Sequence, residues 1–382
     1  MQATLMPVTV SRERLARAPV APLPKVNPDP SRVAVLLNRN ARRVTDKLAK
    51  QMEEVVGAGN LFYSRTVEEA EAYAREIVQR GYGTVACGGG DGTLTRAVNL
   101  VQRYVEEANT WRLDRYRRFG EWQTLLESPR FAFLRLGTGN GLAPVVGAGD
   151  PILDLQQIVG HAPLRERPMP MIDVGGEHCF FAGIGYDSLV LNDYNWLKHR
   201  TRNRFLKPVF NSVLGYAAAI AARTLPNVLF RHASHLTARV VARAPAFYVD
   251  PRKGDAVESV TAGTTLYEGP ASMLGAGTTP FYGYGLKVYP FAGMMPGMMH
   301  LRIANIGPLK ALSNLPSVWK GTYRDPSAIF DFLASDVEIE LEQPFPFQHS
   351  GDAQGMRKNL RWTVTEDKLS LLDLHRPRRI YA

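Results

Sequence analysis

The chain has 382 residues, an apolar fraction of 45%, a charged fraction of 21% and a formal net charge of +10. That balance describes a soluble globular protein of two domains, and its two cysteines, Cys87 and Cys179, exclude a disulfide framework. No apolar run is long enough to span a bilayer, and Arg12, Glu13, Arg14 and Arg17 break any candidate signal peptide, so the expected location is cytoplasmic.

Residues 1–30 carry Pro7, Pro19, Pro22, Pro24, Pro28 and Pro30 and read as a partly extended tail. Val33 to Leu37 is a buried-strand run ending in Asn38-Arg39-Asn40. A helix pattern follows through Val44, Leu48, Val55 and Val56. Leu61 to Ser64 reads as a strand, and Val67 to Gln79 as a helix. The next strand carries Cys87 and breaks into Gly88, Gly89, Gly90, Asp91, Gly92 and Thr93. Leu94, Ala97, Val98, Val101 and Val105 then recur at helical spacing. Alternating strands and helices imply a parallel sheet whose ligand binds at the carboxyl ends of the strands. Asn38, Thr66 and the glycine loop share that edge.

Strand, glycine loop and helix bring bare backbone N–H groups close to a phosphate, and the helix N-terminus adds to the attraction. Asp91 would repel a phosphate, so it either pins the loop through hydrogen bonds or faces a divalent metal. The loop is no Walker A motif, because the Lys-Ser/Thr ending is absent, and it is no G-x-G-x-x-G fingerprint. Residues 104–130 extend the helix and form an inserted connection. Phe131 to Leu136 is a further strand, running into Gly137, Thr138, Gly139, Asn140 and Gly141, with a short helix starting at Leu142 and Ala143. Two glycine loops, each ending a buried strand, make two walls of one nucleotide site.

Beyond Pro168-Met169-Pro170 the pattern changes. Phe180 to Ile184, Leu236 to Arg243, Val337 to Glu342, Leu360 to Val364 and Leu369 to Leu374 read as strands, with an apolar helix over 207–222. This half is mainly antiparallel β. The stretch Gly269 to Met299 reads as loop, and there is no internal repeat.

The loop at Gly88–Thr93, with Leu136-Gly137-Thr138-Gly139-Asn140 after it, resembles the diacylglycerol kinase catalytic-domain family of bacterial lipid kinases and sphingosine and ceramide kinases. Gly183-Ile184-Gly185-Tyr186-Asp187 and Ser212-Val213-Leu214-Gly215-Tyr216 match in the expected order. The resemblance implies an α/β ATP-binding domain at 31–167, similar to that of NAD kinases and phosphofructokinases. It also implies a β-rich lipid-binding domain at 168–374, an active site in the cleft between them, and a return of 375–382 to the first domain. It implies ATP with Mg2+, a lipid acceptor such as diacylglycerol, ceramide or a sphingoid base, and peripheral attachment to an anionic membrane. Nucleotide contacts carry onto Asn38, Thr66, Gly88 to Thr93 and Gly137 to Asn140.

Three departures from the family pattern bear on activity. Gly141 stands where the second loop normally has aspartate. Pro296 stands where a structural magnesium site has aspartate, so the expected metal contact is Asp91 alone. Ser350 stands in place of the aspartate that takes the acceptor's proton, leaving Asp352 as the candidate base, with His349 assisting. A catalytically impaired nucleotide- or lipid-binding regulator and a NAD or other small-molecule kinase are the alternatives. No nucleic-acid motif accompanies the positive charge, so nucleic acid is not an expected partner, whereas a homodimer is compatible with the sequence. Two basic-aromatic clusters suit anionic headgroups: Arg112, Arg115, Arg117 and Arg118 with Trp111, Tyr116, Phe119 and Trp122, and Trp196 to Lys207. A solvated face serves either cluster equally well.

Overall fold

The computed structural model describes residues 28–160, 164–186, 188–189, 191, 193, 236–254, 256–283, 285–366 and 369–375. The expected tail at 1–27, the helix at 207–222, the cluster at 196–207, Asp187, the match at 212–216 and the chain end beyond 375 lie outside the described residues.

The first domain opens with β1 (Asp29–Asn38), α1 (Asp46–Val56), β2 (Leu61–Ser64), α2 (Val67–Gln79), β3 (Tyr82–Gly89), α3 (Asp91–Phe119) and β4 (Arg130–Arg135). Short helices α4 (Ala143–Val146) and α5 (Pro151–Val159) follow, then β5 (Glu166–Met169). Each helix starts where the residues dictate. Thr45 and Thr66 accept N–H bonds from Leu48 and Glu69 and so cap α1 and α2. Asp150 caps α5, whose first residue is Pro151. The 29-residue α3 ends at Gly120, which adopts the left-handed conformation. Every residue of β3 is buried, as a central parallel strand requires.

The sheet order is β2-β1-β3-β4-β18-β5, with β18 at Leu369–Leu372. The strands β1, β2, β3, β4 and β18 run parallel, while β5 pairs antiparallel with β18. The chain therefore returns to the first domain at Leu369, ahead of the 375 expected from sequence. The β5 strand also belongs to this sheet, so the second domain begins after Met169. The reason is burial: Leu369, Leu371 and Leu372 complete the core beside Phe131 and Met169.

A twelve-stranded sheet forms the second domain. It contains β6 (Ile172–Val174), β7 (Glu177–Cys179), β8 (Phe181–Gly185), β9 (Leu236–Ala242), β10 (Ala246–Val249), β11 (Ala256–Val260), β12 (Thr265–Ala271) and β13 (Met273–Gly277). It is completed by β14 (Met299–Ala304), β15 (Ile329–Ala334), β16 (Asp336–His349) and β17 (Asp352–Val364). Two short helices, α6 (Pro308–Ser313) and α7 (Leu315–Lys320), join β14 to β15. All pairings in this sheet are antiparallel. The stretch Gly269–Met299, expected as loop, holds β13 and the end of β12. Its glycines are there for packing: a Cβ on Gly277 would meet the Tyr289 ring at 2.4 Å, and one on Gly275 would meet the Tyr289 hydroxyl at 2.5 Å. Tyr289 thus packs against the two positions of β13 that lack a side chain, Gly275 and Gly277.

Candidate active site

The two glycine loops meet at the carboxyl edge of the first sheet. Leu136 N–H and Gly137 N–H both donate to Gly89 O, at 3.0 and 2.6 Å. A Cβ on Gly137 would stand 2.2 Å from Gly90 Cα, so only glycine permits this approach. Gly89 likewise leaves room for Thr93, whose Oγ1 would lie 2.4 Å from an added Cβ. Asn38 Nδ2 donates to that Thr93 oxygen at 3.1 Å, tying β1 to the start of α3.

Asp91 has the first of the two roles that sequence leaves open. Its Oδ2 accepts from Gly141 N at 2.8 Å and its Oδ1 from Leu142 N at 3.0 Å. The carboxylate is buried, and burial raises its pKa against the opposing pull of those N–H groups. It joins the first loop to the second. Asn140, in the left-handed region at φ 49°, donates from Nδ2 to Gly137 O at 2.8 Å. Its Oδ1 is buried with no partner among the described residues. An unmet buried acceptor costs free energy until a donor arrives, which suits an amine or hydroxyl of a bound ligand.

Gly141 replaces an acidic residue for a visible reason. A Cβ there would stand 1.9 Å from Tyr282 O and 3.3 Å from Phe281 O. The backbone of 281–283 fills the space an aspartate side chain would need. Thr66 stands at the end of β2 with its oxygen engaged in capping α2. Between these walls runs the turn Arg39–Arg43, held by Arg39 N–H to Ser64 O at 2.9 Å and Arg43 N–H to Leu136 O at 3.1 Å. Arg42 and Arg43 are exposed at this edge.

The second domain contributes the β16–β17 hairpin. His349 faces Asp352 across a two-residue turn in which Ser350 has φ 46° and Gly351 φ 84°. Positive φ at both positions is the type I′ geometry that matches strand twist. Ser350 was expected at the catalytic position. The structure instead buries it: its N–H donates to Phe181 O at 2.8 Å and its Oγ accepts from Phe180 N at 3.3 Å. It anchors the turn to Phe180 and β8. Asp352, next along, projects onto the first loop. A Cβ on Gly92 would lie 3.1 Å from Asp352 Oδ2, and Arg96 Nη2 lies 3.4 Å from the same oxygen. His349 Nε2 lies 3.0 Å from Glu177 Oε2, while its Nδ1 is buried without a partner among the described residues.

Behind the second loop is a cavity of about 560 Å3, lined by Pro144, Val145, Met169, Phe281, Met295 and Met298 among others. Pro296 is part of its wall. Among the described residues no three His, Cys, Asp or Glu side chains gather where they could hold a metal ion.

An α/β domain with paired glycine loops, faced by a carboxylate from an antiparallel β domain, defines a two-domain α/β plus β architecture. Residues 32–169 match the model of the diacylglycerol kinase catalytic domain family, the resemblance read from the paired loops. Among solved structures, "a putative diacylglycerol kinase" from Bacillus anthracis str. Sterne aligns over 90% of this chain and 97% of its own, at 14% identity and a TM-score of 0.60. A second from the same organism aligns over the same shares at 12% identity and a TM-score of 0.59. These likenesses establish the two-domain fold. No curated protein matches the chain.

Proposed function

We infer that this protein is an ATP-dependent kinase that phosphorylates a hydroxyl of a membrane lipid. The observation that carries the reading is Asp352, brought by the β domain against Gly92 at the mouth of the paired loops. Phosphoryl transfer needs positioning, charge neutralisation and an acceptor for the nucleophile's proton. The backbone of the turn Gly90 to Gly92, beyond the buried strand end at Gly88 and Gly89, holds the triphosphate, with Thr93, Thr138 and Asn140 completing the nucleotide wall. Arg42 and Arg43 add positive charge at the rim. The acceptor oxygen bonds to the γ-phosphorus, the bond from that phosphorus to the β,γ-bridging oxygen breaks, and ADP leaves. Asp352 takes the hydroxyl proton.

Mg2+ would have to arrive on the nucleotide, since no cluster of carboxylates among the described residues would hold it, and Asp352 is the one carboxylate of the site left to meet it. The ion would neutralise phosphate charge. Asp91 is spent on the second loop, and Pro296 offers no ligand. The three methionines of the cavity suit an acyl chain, with diacylglycerol, ceramide and sphingoid bases as acceptors, while Arg167, Thr278, Thr279 and His375 in the same wall give a headgroup polar partners.

Radiolabelled ATP offered with a panel of these lipids and NAD tests the reading. Wild type is expected to label lipid. Asp352→Asn should lower kcat on the order of 10²- to 10⁴-fold with nucleotide affinity kept. Undiminished turnover in Asp352→Asn would remove it as the base, and label in NAD alone would overturn the lipid assignment. The burial of Ser350 favours a second reading, a nucleotide-binding regulator without transferase activity. ATP binding with no transfer to any acceptor would select it.

A further inference from the structure

We propose that α6 and α7 form a membrane-docking surface that seats the protein on an anionic bilayer beside the mouth of the site. The proposal rests on the lipid-kinase reading and says where the lipid surface is met. Neither helix buries a residue completely. Leu309 and Leu312 lie one turn apart on α6, 63% and 37% exposed; Leu315 and Trp319 lie one turn apart on α7, each 41% exposed. Four large apolar side chains thus face water on two consecutive helices, where the other exposed large apolar residues described in this domain, Met294 and Met356, stand singly. Val318 and Ile306 point the other way, packing against Ala304, Tyr323 and Ile329. The pair is anchored on one face and unpartnered on the other.

The chemistry of the surroundings selects a lipid surface as the occupant. From Pro308 to Arg324 the sequence contains Lys310, Lys320 and Arg324 and no acidic residue. Lys310 is paired with Asp325 at 2.6 Å, and Arg324 covers the Phe291 ring at 4.6 Å. Lys320 remains exposed, while Lys287, whose Cβ lies 3.0 Å from a Cβ built on Gly321, carries its ammonium over the Phe281 ring at 5.5 Å. Leucine, tryptophan and flanking lysine are the set that settles at a headgroup boundary, with the ring at the interface and the ammonium groups on anionic lipid.

Position ties this surface to the chemistry. Trp319 Nε1 lies 3.8 Å from a Cβ built on Gly285, and one on Gly283 lies 3.7 Å from Gly139 Cα. Residues 281–283 and 285–286 therefore lie between the exposed tryptophan and the second glycine loop. A second exposed apolar group among the described residues, Tyr116, Phe119 and Trp122, is at the far end of α3. That helix starts at the first glycine loop and is 29 residues long, which puts its end about 40 Å from the site. A bilayer met at α6–α7 lies next to the acceptor route, and one met at Trp122 does not.

Co-sedimentation of the full chain with vesicles of phosphatidylcholine, alone or mixed with phosphatidylglycerol, tests the surface without requiring turnover. Wild type should partition onto the mixed vesicles at least tenfold better than the Leu309→Glu/Trp319→Glu double variant, with both giving the same thermal midpoint. Lys320→Glu should weaken binding to the mixed vesicles and leave binding to phosphatidylcholine unchanged. Equal sedimentation of wild type and the double variant would overturn the proposal. So would a dimer that the double variant dissolves in sedimentation velocity, with no vesicle binding by either form. Failure of every lipid to accept phosphate, with the vesicle result as expected, would sink the kinase reading and leave the docking surface standing.

Discussion

Gly141 shows how one missing side chain records a tertiary constraint. Its position in the motif usually carries an acid, yet Tyr282 O occupies the space where even a Cβ would go. Gly141→Asp should therefore destabilise the protein by about 2–4 kcal/mol in denaturant unfolding, through displacement of the 281–283 backbone. A stability equal to wild type would mean that this loop does not rest on the second glycine loop. The same logic was invisible from sequence, because nothing in Gly137 to Gly141 names its partner 140 residues further on. Asp91 was half legible. The residue type announced either a pinning carboxylate or a metal contact, and only its bonds to Gly141 and Leu142 decide for the first. Ser350 was legible as a departure from the family pattern, while its burial against Phe180 and Phe181 was not.

Elements were readable where one period dominated. Strict alternation announced the first half of β16, and the glycine loops announced the ends of β3 and β4. Reading failed where packing overruled local pattern, as at β13, whose glycines serve Tyr289, and at β18, whose leucines complete the first sheet rather than the second. The inter-domain register was also hidden, because it depends on side chains of α3, with Gln102 Oε1 3.0 Å from His178 Nδ1 and Asn99 bonded to the same residue's backbone. Asn99 Nδ2 donates to His178 O, and His178 N–H donates to Asn99 Oδ1, both at 2.8 Å. The amide imitates a neighbouring strand and clamps β7 onto α3. The same helix carries Arg96, which faces Asp352. Asn99→Ala leaves two backbone groups of His178 unmatched and should cost about 1–3 kcal/mol. It should also lower kcat more than it raises the nucleotide dissociation constant, because the glycine loops stay intact while Asp352 loses its register. Stopped-flow nucleotide binding beside steady-state turnover would separate the two; equal losses in both would show that the clamp serves the first domain alone.

At the scale of the whole molecule, acid stability depends on a buried ionic group in the second domain. His300, Arg302 and Asp331 are all buried in the sheet. Arg302 meets Asp331 through two bonds of 2.7 and 3.0 Å, and His300 Nε2 lies 2.9 Å from Asp331 Oδ1. Phe291 N–H donates to His300 Nδ1, so the ring proton resides on Nε2 and is donated to the carboxylate. Burial holds the His300 pKa below its ordinary 6.5, against the pull of Asp331. Burial would raise the Asp331 pKa, but Arg302 and His300 outweigh it and hold the carboxyl well below its ordinary value. Both groups are therefore protonated more readily in the unfolded chain than in the folded one. The stability they contribute is fully present above the unfolded values, which are 6.5 for the histidine and 3.8 for the aspartate. It is lost as pH falls through the folded ones. The thermal midpoint should accordingly start to fall just below neutrality and fall again in the carboxylate range. His300→Gln keeps an N–H for Asp331 but cannot titrate. It should be about 1–3 kcal/mol less stable at neutral pH and should lose the first decline. An unchanged slope between about pH 7 and pH 5 in that variant would place the acid sensitivity elsewhere in the molecule.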